Sequence, residues 1–236
     1  MAITFHVNDK SPLKGCSLVT GFHGLGATGF ISVKHAVTSL NAELIGYIET
    51  DRIPPFVSME DRRLSLPFEI YKKENFVFVL TNVPPHPKER QAFSKSLAEW
   101  AINEGFYSSY LIGGLDSRLK PSDADKIRCT VTKKFKDDVG IPLLEKGLFV
   151  VGPLAVMLTY FEINDFPAIA LLPYANPTRP DPMAASVAVE NLNRLTHLTM
   201  DVSQLITDAQ RIEMEIQEFN KQRQDRGKMD QHTLYI

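Results

Sequence analysis

The chain has 236 residues, with 26 Lys and Arg against 28 Asp and Glu, and 44% of its residues are hydrophobic. This apolar content and the net charge of -2 exclude a chain that is disordered over most of its length. Two cysteines exclude a disulfide scaffold, and the near-neutral charge argues against binding to nucleic acid. We find no secretory signal and no apolar segment long enough for a membrane span, which predicts a cytoplasmic protein with no membrane partner.

In the first half of the chain, the patterns of strands and helices alternate. An apolar strand at residues 16–22 enters a turn with four glycines, followed by a helix at 30–40 and a strand at 42–49, which is typical of a parallel βαβ crossover. Residues 64–71 and 75–83 predict two further strands. Pro87 and Gly105 bracket a helix, and a strand at 109–113 follows it.

The second half of the chain gives weaker patterns. Residues 127–135 fit a strand, the runs at 148–151, 157–161 and 167–172 are apolar but interrupted, and four prolines make 173–182 a long turn. Asp181 and Pro182 predict the start of a helix. A last helix begins at Asp201, and its apolar stripe from Val202 to Phe219 must be buried on its own core or on a partner.

These patterns divide the chain into three parts. We expect an α/β core at residues 1–200, an amphipathic C-terminal helix at 201–226 and a flexible tail at 227–236, because no helical periodicity remains after Arg226.

The glycine-rich turn has two interpretations. Gly24, Gly26 and Gly29 match the pattern G-x-G-x-x-G, and Glu49 lies 20 residues beyond Gly29, where a dinucleotide-binding fold places its ribose-binding acid. In that interpretation, backbone N–H groups and the helix dipole hold a pyrophosphate or another anion. In the alternative, the glycines only let the helix pack closely on the sheet. The absence of a second nucleotide-binding half and of a Walker A lysine favours the packing role.

The remaining residues contain no strong catalytic pattern. The six histidines form no ligand pair at helical spacing, and no G-x-S-x-G elbow exists. His23 lies inside the glycine turn, where it could face an anion or cap the turn. We therefore predict that the protein is not an enzyme and that it has no catalytic residues, no metal and no cofactor.

The chain ends in Leu234, Tyr235 and Ile236, which is a hydrophobic residue, a tyrosine and a last residue at a free carboxylate. Such a tail can bind as a peptide, since its carboxylate can pair with a lysine while its side chains fill a pocket.

With these features the chain resembles the proteasome assembly chaperone family, specifically its archaeal homologues. The matching segments are GFHGLGATG at residues 21–29, LNAELIGYIE at 40–49, DRIPP at 51–55, Trp100 in its helix, GGL at 113–115 and PDP at 180–182. The family commonly has proline where this chain has His23. The resemblance implies a three-layer α/β/α fold with a mixed, largely parallel sheet, similar to phosphorylase/hydrolase-like proteins, and a C-terminal helical extension.

The resemblance also implies a function. It implies no enzymatic activity but a homo-oligomer, a tetramer or a pentamer, that binds the α-ring of the proteasome core particle as an assembly chaperone or an ATP-independent activator. The residues that match the family's docking motif are Leu234, Tyr235 and Ile236. Two alternatives stay open: a nucleotide or anion bound at the glycine turn, and a tail that is sequestered in the protein's own oligomer.

Overall fold

The computed structural model describes residues 2–8, 12–60 and 62–232, with side chains up to residue 218. The strands in these ranges are β1 (Ile3–Val7), β2 (Ser17–Gly21), β3 (Glu43–Thr50), β4 (Ser58–Glu60), β5 (Arg63–Ser65), β6 (Phe68–Lys73), β7 (Phe76–Thr81), β8 (Ser108–Ile112), β9 (Leu115–Asp116), β10 (Ile127–Val131) and β11 (Ala168–Ala175). The α-helices are α1 (Thr28–Ser39), α2 (Arg90–Asn103), α3 (Pro153–Ile163), α4 (Pro182–Thr196) and α5 (Ser203–His232).

One large mixed sheet organises the fold. Its strand order is β1-β3-β6-β7-β2-β8-β11-β10, with β9 beside the end of β11. The central strands β7, β2, β8 and β11 are parallel, and the outer pairs on both sides are antiparallel. β4 and β5 form a separate two-stranded hairpin.

Helices cover both faces of this sheet, because its central strands are apolar on both sides. β2, for example, is buried along its whole length. On one face, α2 and α3 pack over a cluster that includes Phe68, Phe93 and Phe161. On the other face, α1, α4 and the start of α5 pack over a cluster that includes Val33 and Leu192. The predicted α/β/α architecture with a mixed sheet is confirmed.

The predicted βαβ crossover exists, but its two strands are not neighbours. β3 is antiparallel to β6, β6 is antiparallel to β7, and β7 is parallel to β2, so β3 runs parallel to β2. β6 and β7 lie between them in the sheet. The local sequence predicts the direction of β3 relative to β2, but it does not predict that the later strands β6 and β7 lie between them.

Prolines account for two differences from the predicted strands. The strand predicted at residues 64–71 is divided into β5 and β6, and Pro67 lies between them. β11, by contrast, continues through Pro173, which the sequence places in a turn. On one side of β11, β8 pairs up to Leu171 and β9 pairs from Tyr174. Pro173 therefore lies in the gap between two partner strands, where a missing N–H costs little.

α3 is a helix that the sequence analysis did not identify. The segment Pro153–Ile163 is apolar almost throughout, so it shows no contrast between two faces. Pro153 stands at its first helical position, which is a start signal that the sequence does contain.

α5 continues past the predicted boundary at Arg226 and is helical as far as His232, the last residue described. A glycine inside a helix costs only about 1 kcal/mol relative to alanine, so Gly227 does not terminate the helix when helix-forming residues follow it. No helix in the described ranges is both long enough and apolar enough to cross a bilayer.

Candidate functional site

The turn after β2 brings α1 very close to the sheet. Gly26 has a positive φ of 62°, and a Cβ atom built on it would lie 2.9 Å from the Cβ atoms of both Ala175 and Asp181. A Cβ on Gly29 would lie 2.4 Å from the backbone oxygen of Ile112. Only glycine fits at these two positions, because any side chain would push α1 away from the ends of β8 and β11.

The loop before α4 covers this turn. The Asp181 N–H donates to the Gly26 oxygen at 2.8 Å, and the Asp181 carboxylate accepts from the N–H groups of Asn176 and Ala184 at 2.8 and 2.9 Å. Asp181 thus caps α4, as predicted from the sequence, and also fastens its loop to the turn. These contacts support the packing role of Gly26 and Gly29, and anion binding at Gly24, Gly26 and Gly29 stays a prediction.

Glu49, the predicted ribose-binding acid, does not lie beside this turn. It stands on β3, where its carboxylate is 2.8 Å from the His6 ring on β1. β6 and β7 separate β3 from β2, which amounts to about 14 Å across the sheet. The spacing in the sequence matches a dinucleotide fold, but the strand order does not.

A cavity of about 260 Å³ lies next to the turn, at the carboxyl ends of β2, β8 and β11. We call it the edge cavity. Its lining residues are Phe22, His23, Gly24, Leu25, Gly113, Gly114, Leu115, Asp116, Leu119, Leu148, Phe149, Val150, Val151, Pro153, Leu154 and Leu172. In open α/β sheets, ligands bind outside the carboxyl ends of the strands. The sequence analysis did not identify this site, although the apolar run at residues 148–151 was a signal, since it belongs to no strand.

Two polar side chains line the edge cavity. The His23 ring stacks on Phe30, with centroids 4.3 Å apart, and its Nδ1 atom is buried without a hydrogen-bond partner among the described residues. Burial lowers the pKa of His23, so this ring is neutral at pH 7. The Asp116 carboxylate accepts from the backbone N–H and the guanidinium of Arg118. These hydrogen bonds lower the pKa of Asp116, which is therefore ionised and paired.

A buried carboxylate in another part of the fold has a structural role. Glu69 on β6 is 1% exposed. Its carboxylate accepts from Arg63 at 2.5 Å, from the Tyr71 hydroxyl at 2.7 Å, from the Leu66 N–H at 3.0 Å and from the Asn82 amide at 3.1 Å. Burial alone would raise the pKa of Glu69, but these hydrogen bonds outweigh it, and the pKa lies below its usual value. The network fastens the β4–β5 hairpin to the main sheet.

The described part of the chain contains no cluster of three or more His, Cys, Asp or Glu residues that could hold a metal ion. Cys16 and Cys129 are buried free thiols, and burial raises the pKa of both.

α5 is attached to the core only by its first turns, as far as its side chains are described. Leu205 is buried, whereas Ile212 and Ile216 on the same apolar stripe are half-buried. Arg179 and Glu213 form an ion pair of 2.7 Å between the loop before α4 and α5. Leu234, Tyr235 and Ile236, which the sequence predicts as the docking residues, lie outside the described residues.

Solved structures from archaea and from bacteria share this fold. PbaA of Pyrococcus furiosus, an archaeal homologue of proteasome-assembly chaperone, superposes with a TM-score of 0.82 at 21% identity, covering 99% of this chain and 99% of that chain. PbaB of Pyrococcus furiosus, an archaeal proteasome activator, gives a TM-score of 0.75 at 15% identity, covering 92% of this chain and 98% of that chain. At these identities, the similarity shows the fold.

Sequence relatives cover a similar extent. The uncharacterised protein MJ0106 of Methanocaldococcus jannaschii is 24% identical over 208 residues, which is 87% of this chain and 85% of that protein. The PAC2 family profile matches residues 18–220, from β2 into the distal part of α5. The chain therefore belongs to the PAC2 family.

Proposed function

We propose that this chain is a homo-oligomeric, cytoplasmic proteasome-binding protein, an assembly chaperone or an ATP-independent activator. In this proposal Leu234, Tyr235 and Ile236 dock into pockets of the α-ring of the proteasome core particle. Support comes from membership of the PAC2 family and from the shared fold of PbaA, a homologue of proteasome-assembly chaperone, and PbaB, a proteasome activator.

The observation that carries the proposal is the extent of α5. The helix is held to the core where the Asp201 carbonyl meets the His35 ring at 2.8 Å and where Glu213 pairs with Arg179. From Glu213 to His232, the helix extends about a further 28 Å along its axis. An extension of this length would present the C-terminal residues to a partner at a distance from the α/β core.

The apolar stripe of α5 supports an oligomer. Ile212 and Ile216 are only half-buried within one chain, and a helix with an apolar stripe is stabilised by covering it. A single tripeptide has few atoms and binds weakly. Several tails on one oligomer act together, and avidity can raise the affinity by about 10²–10⁴-fold without new contacts. A tetramer or a pentamer would supply the tails that this mechanism needs.

A capture experiment with purified core particle tests the proposal. The wild-type chain, the substitution Tyr235→Ala and the control Tyr107→Ala are immobilised at equal density, and the bound core particle is quantified. Tyr107 is 67% exposed and lies in the α2–β8 connection, so its removal changes an exposed tyrosine away from the tail. We expect Tyr235→Ala to abolish capture and Tyr107→Ala to retain it. Equal capture by all three chains would refute docking through the tail.

A second readout separates the two proteasome roles. An activator would increase hydrolysis of a short peptide by the assembled core particle without ATP, whereas an assembly chaperone would accelerate ring formation from free α subunits and leave hydrolysis unchanged. Whichever of the two effects the wild-type chain shows should disappear with Tyr235→Ala.

A further inference from the structure

The edge cavity is not explained by binding to a proteasome through the C-terminal tail. It lies where the carboxyl ends of β2, β8 and β11 meet, a place at which open α/β sheets bind ligands. Its volume of about 260 Å³ is close to the lower limit for small-molecule sites.

Apart from His23 and Asp116, the described residues that line the edge cavity are apolar or glycine. Leu154 and Leu172 are buried in the core at its base. At the mouth, Phe149 is 76% exposed and Val151 is 68% exposed. These two exposed side chains continue the apolar lining of the cavity out to the solvent, where a ligand in the cavity could cover part of their surface.

The charges around the edge cavity favour an uncharged occupant. Asp116 is the one charged side chain among the described lining residues, and Arg118 already pairs with it. His23 is neutral, and its Nδ1 atom has no partner within the described chain. A charged ligand would lose its hydration in this cavity without gaining a counter-charge.

Gly24 is the one glycine of the G-x-G-x-x-G pattern that no packing contact requires. A Cβ atom built on it meets nothing within 4 Å, in contrast to Gly26 and Gly29. Gly24 lines the edge cavity, so its bare backbone keeps one side of that space open. The Gly24 N–H donates to the Phe22 oxygen at 2.8 Å and the Ala27 N–H donates to the Gly24 oxygen at 3.0 Å, so neither of these N–H groups is free to bind an anion.

From these observations, we propose that the edge cavity binds a small, uncharged, predominantly apolar molecule, seated between the turn at Phe22–Leu25 and the apolar segment Leu148–Val151. The residues that line this site are distinct from the predicted docking residues Leu234, Tyr235 and Ile236.

Two dyes that differ only in charge test this proposal on the full chain. N-phenyl-naphthylamine is uncharged and fluoresces in apolar surroundings, and anilinonaphthalene sulfonate is the same skeleton with a sulfonate group. We expect saturable binding of the uncharged dye, with one molecule per chain, and binding of the sulfonate at least about ten-fold weaker. Tighter binding of the sulfonate would overturn the proposal in favour of an anion site at the glycine turn.

Matched substitutions locate the dye. Val151→Glu adds a carboxylate at the mouth of the cavity, and Val57→Glu adds one at a valine of similar exposure, 63%, just before β4. Circular dichroism and the melting temperature check that both variants fold. We expect Val151→Glu to weaken binding of the uncharged dye by about ten-fold or more, and Val57→Glu to leave it unchanged. Equal effects of the two substitutions, or no saturable binding in the wild type, would overturn the proposal and leave the tail mechanism untouched.

Discussion

Gly24 and Gly26 are two residues apart in one turn, yet their surroundings differ completely. Gly26 adopts a positive φ and touches the loop before α4, whereas a Cβ atom built on Gly24 would meet nothing within 4 Å. The glycine pattern in the sequence predicts a tight turn between a strand and a helix, which the structure contains. It does not distinguish a phosphate-binding turn from a packed one, because that depends on Ala175 and Asp181, about 150 residues further along the chain.

Substitutions at these two glycines should differ in how much they lower the free energy of unfolding. Gly26→Val forces a β-branched residue into a positive φ and into contact with Asp181, so we expect it to lower the free energy of unfolding by about 2–4 kcal/mol. Gly24→Ala has no such contact and should change it by less than about 1 kcal/mol. Urea denaturation followed by circular dichroism measures both values. Similar losses for the two variants would show that the turn is not packed as described.

Glu69 should make the stability of the fold depend on acid pH. Hydrogen bonds keep its pKa below the ordinary value, so the folded state holds this proton less tightly than the unfolded state. The stabilisation is complete above the unfolded pKa of about 4.3 and is lost as the pH falls below it towards the folded pKa.

The substitution Glu69→Gln tests this pH dependence. We expect it to cost about 2–4 kcal/mol at pH 7, because it leaves Arg63 facing a neutral group, and to flatten the loss of stability below about pH 4. Glu43→Gln, at an exposed position on β3, is the control and should retain the wild-type pH dependence. Urea titrations at several pH values supply the data. A Glu69→Gln chain that still loses stability in acid as the wild type does would contradict this assignment.

Among the elements, the ones with a periodic pattern or clear boundary residues were predictable. The helices at α1, α2 and α4 have apolar residues at helical spacing, and Asp181 marks the start of α4. α3 lacked that contrast because it is apolar on nearly every side. The boundary of α5 was predicted too early, at Arg226, because a single glycine is a weak stop signal. The continuation of β11 through Pro173 depends on where β8 ends and where β9 begins.

The apolar stripe of α5 leads to a prediction about the assembly of the oligomer. Ile216 is half-buried on the apolar stripe, and Met214 on the same helix is 58% exposed. If the stripe is part of an oligomer interface, Ile216→Asp should reduce the mass of the particle measured by light scattering, because a carboxylate would be buried without a partner. Met214→Asp should leave the mass unchanged. An unchanged mass in both variants would exclude this part of α5 from the interface.

At the scale of the whole molecule, composition and the order of elements were enough for the α/β class, and the resemblance carried the three-layer architecture. The strand order could not be predicted from the sequence, because it depends on the position of the β6–β7 hairpin between β3 and β2 in the sheet. The edge cavity could not be predicted from the sequence either. Its walls come from the turn after β2, the glycines after β8 and the start of α3, which are far apart in the chain. The docking residues, by contrast, come from the sequence and the resemblance alone.

The central claim is that the last three residues determine binding to the proteasome. The most direct measurement compares the dissociation constant for purified core particle of the full chain with that of a chain ending at Thr233, at the same oligomeric state and salt concentration. The proposal predicts a loss of affinity of about 100-fold or more on truncation, because every tail of the oligomer loses its contact. Equal dissociation constants for the two chains would contradict it.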